Sequence, residues 1–252
     1  MKRKTLGAFT LVEILITLSI VGIVAAATIP AVVTHLQMQE YVSKLKKAQN
    51  TLTDAISLGV MQHGPMDFWD WGAVNTTTFF TTHLRPHFTM MQDCGTTNNA
   101  CFATAYTRLN NTAYTSMSPN DANAYRFMSQ DGISFSFHRR NGHASGTCNA
   151  ATGSNVCSGG SAVIIHVDLN GPKPPNQLGR DLFLFAIYPE GPTRDVALAS
   201  GLRAAGAFAF DSGTALTTTT TNATFGCAPN ITGTAAGAYC AAKVLADDAM
   251  KY

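Results

Sequence analysis

Charge is what this sequence has least of. Only 13% of its 252 residues are Asp, Glu, Lys or Arg, about half the ~25% of an ordinary soluble protein. Seventeen basic and fifteen acidic residues give a net charge of +2, which excludes a strongly basic nucleic-acid binder and an acidic solvating tail. Catalytic motifs are missing too. The chain contains no G-x-S-x-G, no H-E-x-x-H and no phosphate-binding P-loop, so the commonest hydrolase, zinc-protease and nucleotide-binding readings have no anchor. Its six cysteines include no C-x-x-C pair, and zinc, thioredoxin-like and c-type haem readings fail with it. The apolar share of 46% is nevertheless that of a folded chain. Six cysteines in so uncharged a sequence point to disulfides and an export compartment.

What is present begins at the N-terminus. A short basic stretch with Lys2, Arg3 and Lys4 precedes a run from Ile14 to Thr34 that holds no charged residue. As a helix this run is ~31 Å long, enough to cross a hydrocarbon layer of ~30 Å. Basic residues before the span place the N-terminus in the cytoplasm and the rest of the chain beyond the membrane. An ordinary signal peptide ending near Ala25-Ala26-Ala27 is the competing reading. Glu13 stands against it, because a carboxylate beside an apolar span is costly and usually functional.

The stretch Ala8-Phe9-Thr10-Leu11-Val12-Glu13 resembles the processing site of type IV prepilins and type II secretion pseudopilins. The resemblance covers about Lys2–Pro30. It implies a leader of residues 1–8, removed on the cytoplasmic side by a prepilin peptidase that then methylates the new amine. Gly7 and Ala8 both offer a cut site. Cleavage before Phe9 puts Glu13 fifth, Gly22 fourteenth and Pro30 twenty-second in the mature chain, as the family pattern has them. Ala8 in place of Gly before the cut is a departure. The resemblance further implies assembly through a filament-core segment of residues 9–34, with Glu13 neutralising the N-terminal amine of a neighbouring subunit. Its partners would be itself and other pilins, the peptidase, and an assembly ATPase with its platform protein. It would sit in the bacterial inner membrane first and in a pilus or periplasmic pseudopilus afterwards.

Residues 9–60 are expected to form one long helix. Val42, Leu45, Leu52 and Ile56 recur at helical spacing on one face. Gly59 and Gly64-Pro65 are the expected stop signals. Pro30 removes a hydrogen bond inside the apolar part, which predicts a local break there, with Gly22 weakening the helix further. Lys44, Lys46 and Lys47 fit a solvated helix face, with anionic lipid or DNA as the alternative contact.

Residues 61–252 form the expected exported domain. Ile133–Phe137 alternates like a half-buried strand, and Val163–Val167 and Leu182–Ile187 are strand-length apolar runs. The fold class is therefore α+β: a long helix on one face of an antiparallel sheet with disulfide-closed loops, the layout that the pilin resemblance also implies. Between two of these strands, Asp168-Leu169-Asn170-Gly171 and Pro175-Asn176 through Asp181 carry turn-forming side chains. Asp168, Asn170 and Asp181 are also candidate Ca²⁺ ligands, although the spacing is not that of an EF-hand loop. Fifteen pairings of Cys94, Cys101, Cys148, Cys157, Cys227 and Cys240 are open, and sequential pairing is the simplest. The last pair resembles the disulfide-closed C-terminal loop of many pilins.

No catalysis is expected of such a chain. His83 and His87 have metal-binding spacing, but Pro86 between them breaks the helix that would align them. His138, His143, Arg139 and Arg140 read as a surface turn. Asn75, Asn110, Asn222 and Asn230 satisfy N-x-[ST]. The reading from another class is a secreted binding protein or enzyme with an ordinary signal peptide.

Overall fold

The computed structural model describes residues 10–69, 75–97, 100–115, 118–140, 162–188, 201–204, 227–228, 236–250 and 252. The chain divides into two units, residues 1–40 and 41–252. Helix α1 (Leu11–His63) begins in the first and ends in the second.

In the first unit α1 is apolar on all sides. Leu11, Leu15, Leu18, Ile23, Ile29 and Leu36 are all more than half exposed. This part is long and apolar enough to cross a membrane. The break expected near Pro30 is not seen: the helix continues through Gly22 and Pro30. Proline removes one donor, but the neighbouring turns stay bonded. Thr28 Oγ1 donates to Val24 O at 2.9 Å and Thr34 Oγ1 to Pro30 O at 2.9 Å.

In the second unit the helix has one apolar stripe, and the stripe is buried. Val42, Leu45, Ala48, Leu52, Ala55, Ile56 and Gly59 face the core. Gly59 does not stop the helix. A Cβ there would stand 2.7 Å from His83 O and 3.1 Å from the Trp69 ring, so glycine admits that contact. The stop is Gly64, whose φ of +79° and N–H bond to Val60 O (2.9 Å) cap the last turn. Two ion pairs pin this stretch: Lys46 to Asp248 (2.6 Å) and Lys47 to Asp131 (2.7 Å).

The sheet is antiparallel, with six strands in sequence order: β1 (Met90–Gly95), β2 (Tyr125–Ser129), β3 (Ser134–Arg140), β4 (Ala162–Asp168), β5 (Leu182–Tyr188) and β6 (Gly201–Ala204). The three strands expected from sequence are β3, β4 and β5. Two short helices accompany them, α2 (Thr76–His83) and α3 (Cys240–Asp247), with single 3₁₀ turns at Met66–Phe68 and Arg85–His87. One face of the sheet carries Phe127, Phe135, Phe137, Val163, Ile165, Val167, Phe183, Phe185 and Ile187, which share a core with the α1 stripe. Phe80 of α2 packs among them, with its ring tilted against Tyr125 and Phe137 at centroid distances of 4.6 Å.

The other face corrects the half-buried expectation. It packs a second core, in which Ile164, Leu182 and Leu184 meet Cys94, Cys101, Phe102, Tyr106, Tyr114 and Tyr239. Ser134 and Ser136 of β3 face this side and are buried as well. Ser134 Oγ donates to Cys101 O (2.7 Å) and Ser136 Oγ to Pro119 O (2.8 Å). Alternating serines read as a solvent face, yet a hydroxyl can equally hold a covering loop.

Candidate functional site

The N-terminal turn of α1 is the first candidate. Gly7, Ala8 and Phe9, the processing residues, lie outside the described residues. Thr10 and Glu13 are described and bond reciprocally. Thr10 N–H and Thr10 Oγ1 both donate to Glu13 Oε2, each at 2.8 Å, and Glu13 N–H donates to Thr10 Oγ1 at 3.3 Å. This is a capping box. The Thr-x-x-Glu spacing signals it in the sequence, beneath the more conspicuous processing motif. Gly22 and Pro30 lie on the same exposed apolar helix, and no atom stands within 4 Å of a Cβ built on Gly22.

The segment 168–181 is the second candidate, and the structure draws its charges inward. Asp168 and Asp181 are fully buried. Asp168 Oδ2 accepts from Tyr106 Oη at 2.5 Å, and Oδ1 accepts from Asn170 N at 3.2 Å. Asp181 accepts from Asn176 N (2.7 Å) and Gln177 N (2.6 Å). The Asn170 amide donates to Pro174 O (3.0 Å) and to Tyr41 Oη (3.2 Å), which ties the segment to α1. Burial and then the charge of Asp181 raise the Asp168 carboxyl well above the usual carboxylate range, against the pull of Tyr106 and two backbone N–H groups. Burial also raises Asp181, opposed by the N–H groups of Gln177 and Asn176. What this geometry does chemically is close a turn, with each carboxylate held by donors of the surrounding chain.

Close backbone approach seals the segment. Gly179 has φ +87° and Gly237 has φ +88°. A Cβ on Gly179 would lie 2.9 Å from Cys240 Sγ, and one on Gly237 would lie 2.1 Å from Leu178 O. Cys240 is bonded to Cys227, and Cys94 to Cys101. Both pairs are the sequential ones, and Cys148 and Cys157 lie outside the described residues. The C-terminal Tyr252 Oη donates to Gly179 O.

Other candidate groups are spent on structure. β3 and β4 pair Ser136 with His166 and Ser134 with Asp168, a residue set that suggests a nucleophile and its base. These four side chains are buried, and Ser136 donates to a backbone carbonyl while His166 Nε2 stands 3.3 Å from Tyr114 Oη. α2 ends at His83, so His87 falls in the next 3₁₀ turn. Arg139, expected at the surface, is buried, because its strand position turns it inward. His138 lies 3.8 Å from Asp121, and His143 is outside the described residues. Arg126, which sequence reasoning missed, is fully buried and donates to the carbonyls of Pro119 (2.7 Å), Ala124 (3.2 Å) and Asp121. Lys46 and Lys47 already pair with carboxylates. Asn75 is exposed and caps α2 by accepting from Thr78 N (2.8 Å), whereas Asn110 accepts from Thr112. Asn222 and Asn230 lie outside the described residues.

No family model, curated protein or solved structure matches the chain.

Proposed function

We propose that the chain is a structural subunit of a type IV pilus or pilus-like filament, with a pilin-like layout and no catalytic role. One observation carries this reading: a helix apolar on all sides and exposed from Leu11 to Leu36, which runs on into a stripe buried under a sheet. An exposed apolar surface of that size requires lipid or other copies of the chain to cover it. In this reading the leader is cut between Ala8 and Phe9, Phe9 is methylated, and the subunit waits in the inner membrane. The assembly ATPase and platform protein then stack it with its like, and residues 9–34 exchange lipid for one another.

Glu13 gives the stacking its register. A carboxylate among apolar side chains is costly alone and is offset when a cation stands beside it. The attraction between the two charges grows as water is excluded from between them. The N-terminal amine of a neighbouring subunit is the cation in reach of such a filament. Glu13→Ala should leave processing and membrane insertion intact and block assembly. Normal filaments from that variant would contradict the reading.

Recovery of the chain in filaments sheared from the cell surface supports a pilus. Retention in the cell envelope favours the second reading, a pseudopilin of a type II secretion system. The disulfides Cys94–Cys101 and Cys227–Cys240 suit either location beyond the inner membrane.

A further inference from the structure

We infer that Thr10 is a positioning residue for Glu13: it holds that carboxylate in one orientation before the subunit meets its neighbour. The inference rests on the filament reading above and deepens it at the same site. Both donors of Thr10, its N–H and its hydroxyl, converge on the single oxygen Oε2 at 2.8 Å, and the Thr10 hydroxyl accepts in return from Glu13 N. The bonds fold the glutamate back along the first turn, where its several rotamers reduce to one. Two donors on one oxygen also lower the cost of carrying the carboxylate beside the apolar run from Ile14 onward. A side chain fixed in this way meets an approaching amine without first losing rotamer freedom, which is the advantage of pre-organisation. Neither backbone N–H supplies this alone. The hydroxyl is the one group that both donates to the carboxylate and accepts from the Glu13 backbone, so serine keeps the device, whereas valine, of nearly the same shape, leaves only the N–H of residue 10 on the carboxylate.

The test compares Thr10→Val, Thr10→Ser, Glu13→Ala and the Thr10→Val/Glu13→Ala double variant in the full-length protein expressed in its own host. The readout is the share of processed subunits, identified by the mass of their mature N-terminus, that is recovered in filaments and not in membranes. Thr10→Val should lower that share about tenfold, equivalent to ~1.4 kcal/mol and within the range of a hydrogen bond to a charged group. Thr10→Ser should stay within about twofold of the parent. The double variant should match Glu13→Ala, because Thr10 acts only through Glu13. Assembly of Thr10→Val at the parental level while Glu13→Ala fails overturns this inference and leaves the filament reading standing. So does a serine variant as defective as valine. Parental assembly of Glu13→Ala overturns the filament role of Glu13 itself.

Discussion

The two stretches of α1 are both rich in apolar residues, yet they differ in arrangement. From Tyr41 to Ile56 the large apolar residues keep to a stripe and the stripe is buried, with Leu45, Ala48 and Ala55 fully covered, and only near the end of the helix do Leu58 and Met61 turn outward. From Leu11 to Leu36 they occur on every side and stay exposed. Periodicity therefore tells where a helix finds its own core, and loss of periodicity at high apolarity tells where cover comes from outside the molecule. The low charge follows the same division, since Ile14–Thr34 contributes none of it.

Truncating the two stretches should separate them most sharply. Leu45→Ala or Leu52→Ala should lower the stability of the detergent-solubilised protein by ~2–5 kcal/mol. Leu18→Ala should change it by no more than ~0.5 kcal/mol. Urea titrations followed by tryptophan fluorescence give both numbers, and equal effects would erase the distinction. Glycines extend the contrast at smaller amplitude. Gly237→Ala meets both a positive φ and the Leu178 carbonyl, so it should cost more than the ~1–2 kcal/mol of left-handed backbone strain. Gly22→Ala, with open space around it, should be neutral or gain up to ~1 kcal/mol of helix propensity.

The second unit has its own internal contrast, visible in pH. Burial raises Asp93, but donors outweigh it: Tyr125 Oη, Arg85 and Gly95 N–H hold that carboxyl below the usual range. Its stabilisation is present above the unfolded value near ~3.9 and is lost as pH falls through the lower folded value. Asp168 and Asp181 are raised, so their favourable contribution is present below the unfolded value and is lost as pH rises through the folded one. Melting temperature should therefore increase on acidification from neutral pH toward ~4 and decrease below it. Asp168→Asn should flatten the upper limb and Asp93→Asn the lower. A profile unchanged by either variant would contradict the assignment. The smallest expected effect is that of a chelator. With the carboxylates of Asp168 and Asp181 engaged by the chain itself, EDTA should leave the melting temperature unchanged, whereas a clear drop would assign Ca²⁺ to Asp168, Asn170 and Asp181.

The stripe of α1 was legible because a single helical period was sustained from Val42 to Ile56. Strands β3, β4 and β5 were legible from alternation and β-branched runs. β1 was not, since Met90–Gly95 is an edge strand with register shifts at Met90/Gln92 and Asp93/Gly95 that disrupt any period. β2 hid because Arg126 sits at a buried position and reads as exposed. The turn at 168–181 was legible from its Asp, Asn and Gly, but Tyr106 was not, because its contact with Asp168 spans 62 positions and leaves no local pattern. The capping partner Thr10 was passed over, although its Thr-x-x-Glu spacing to Glu13 carries the signal, because the same residues belong to the processing motif. The covered second face was not, because a serine that holds a loop and a serine that meets water look alike in sequence.

In the filament reading the exposed stretch of α1 remains in the mature protein and is the part that other subunits cover. Mass spectrometry of the mature N-terminus from the native host tests it most directly. A filament subunit should begin at Phe9 and carry a methyl group on its amine. A chain that begins near Thr28, with the apolar stretch largely removed, would contradict it.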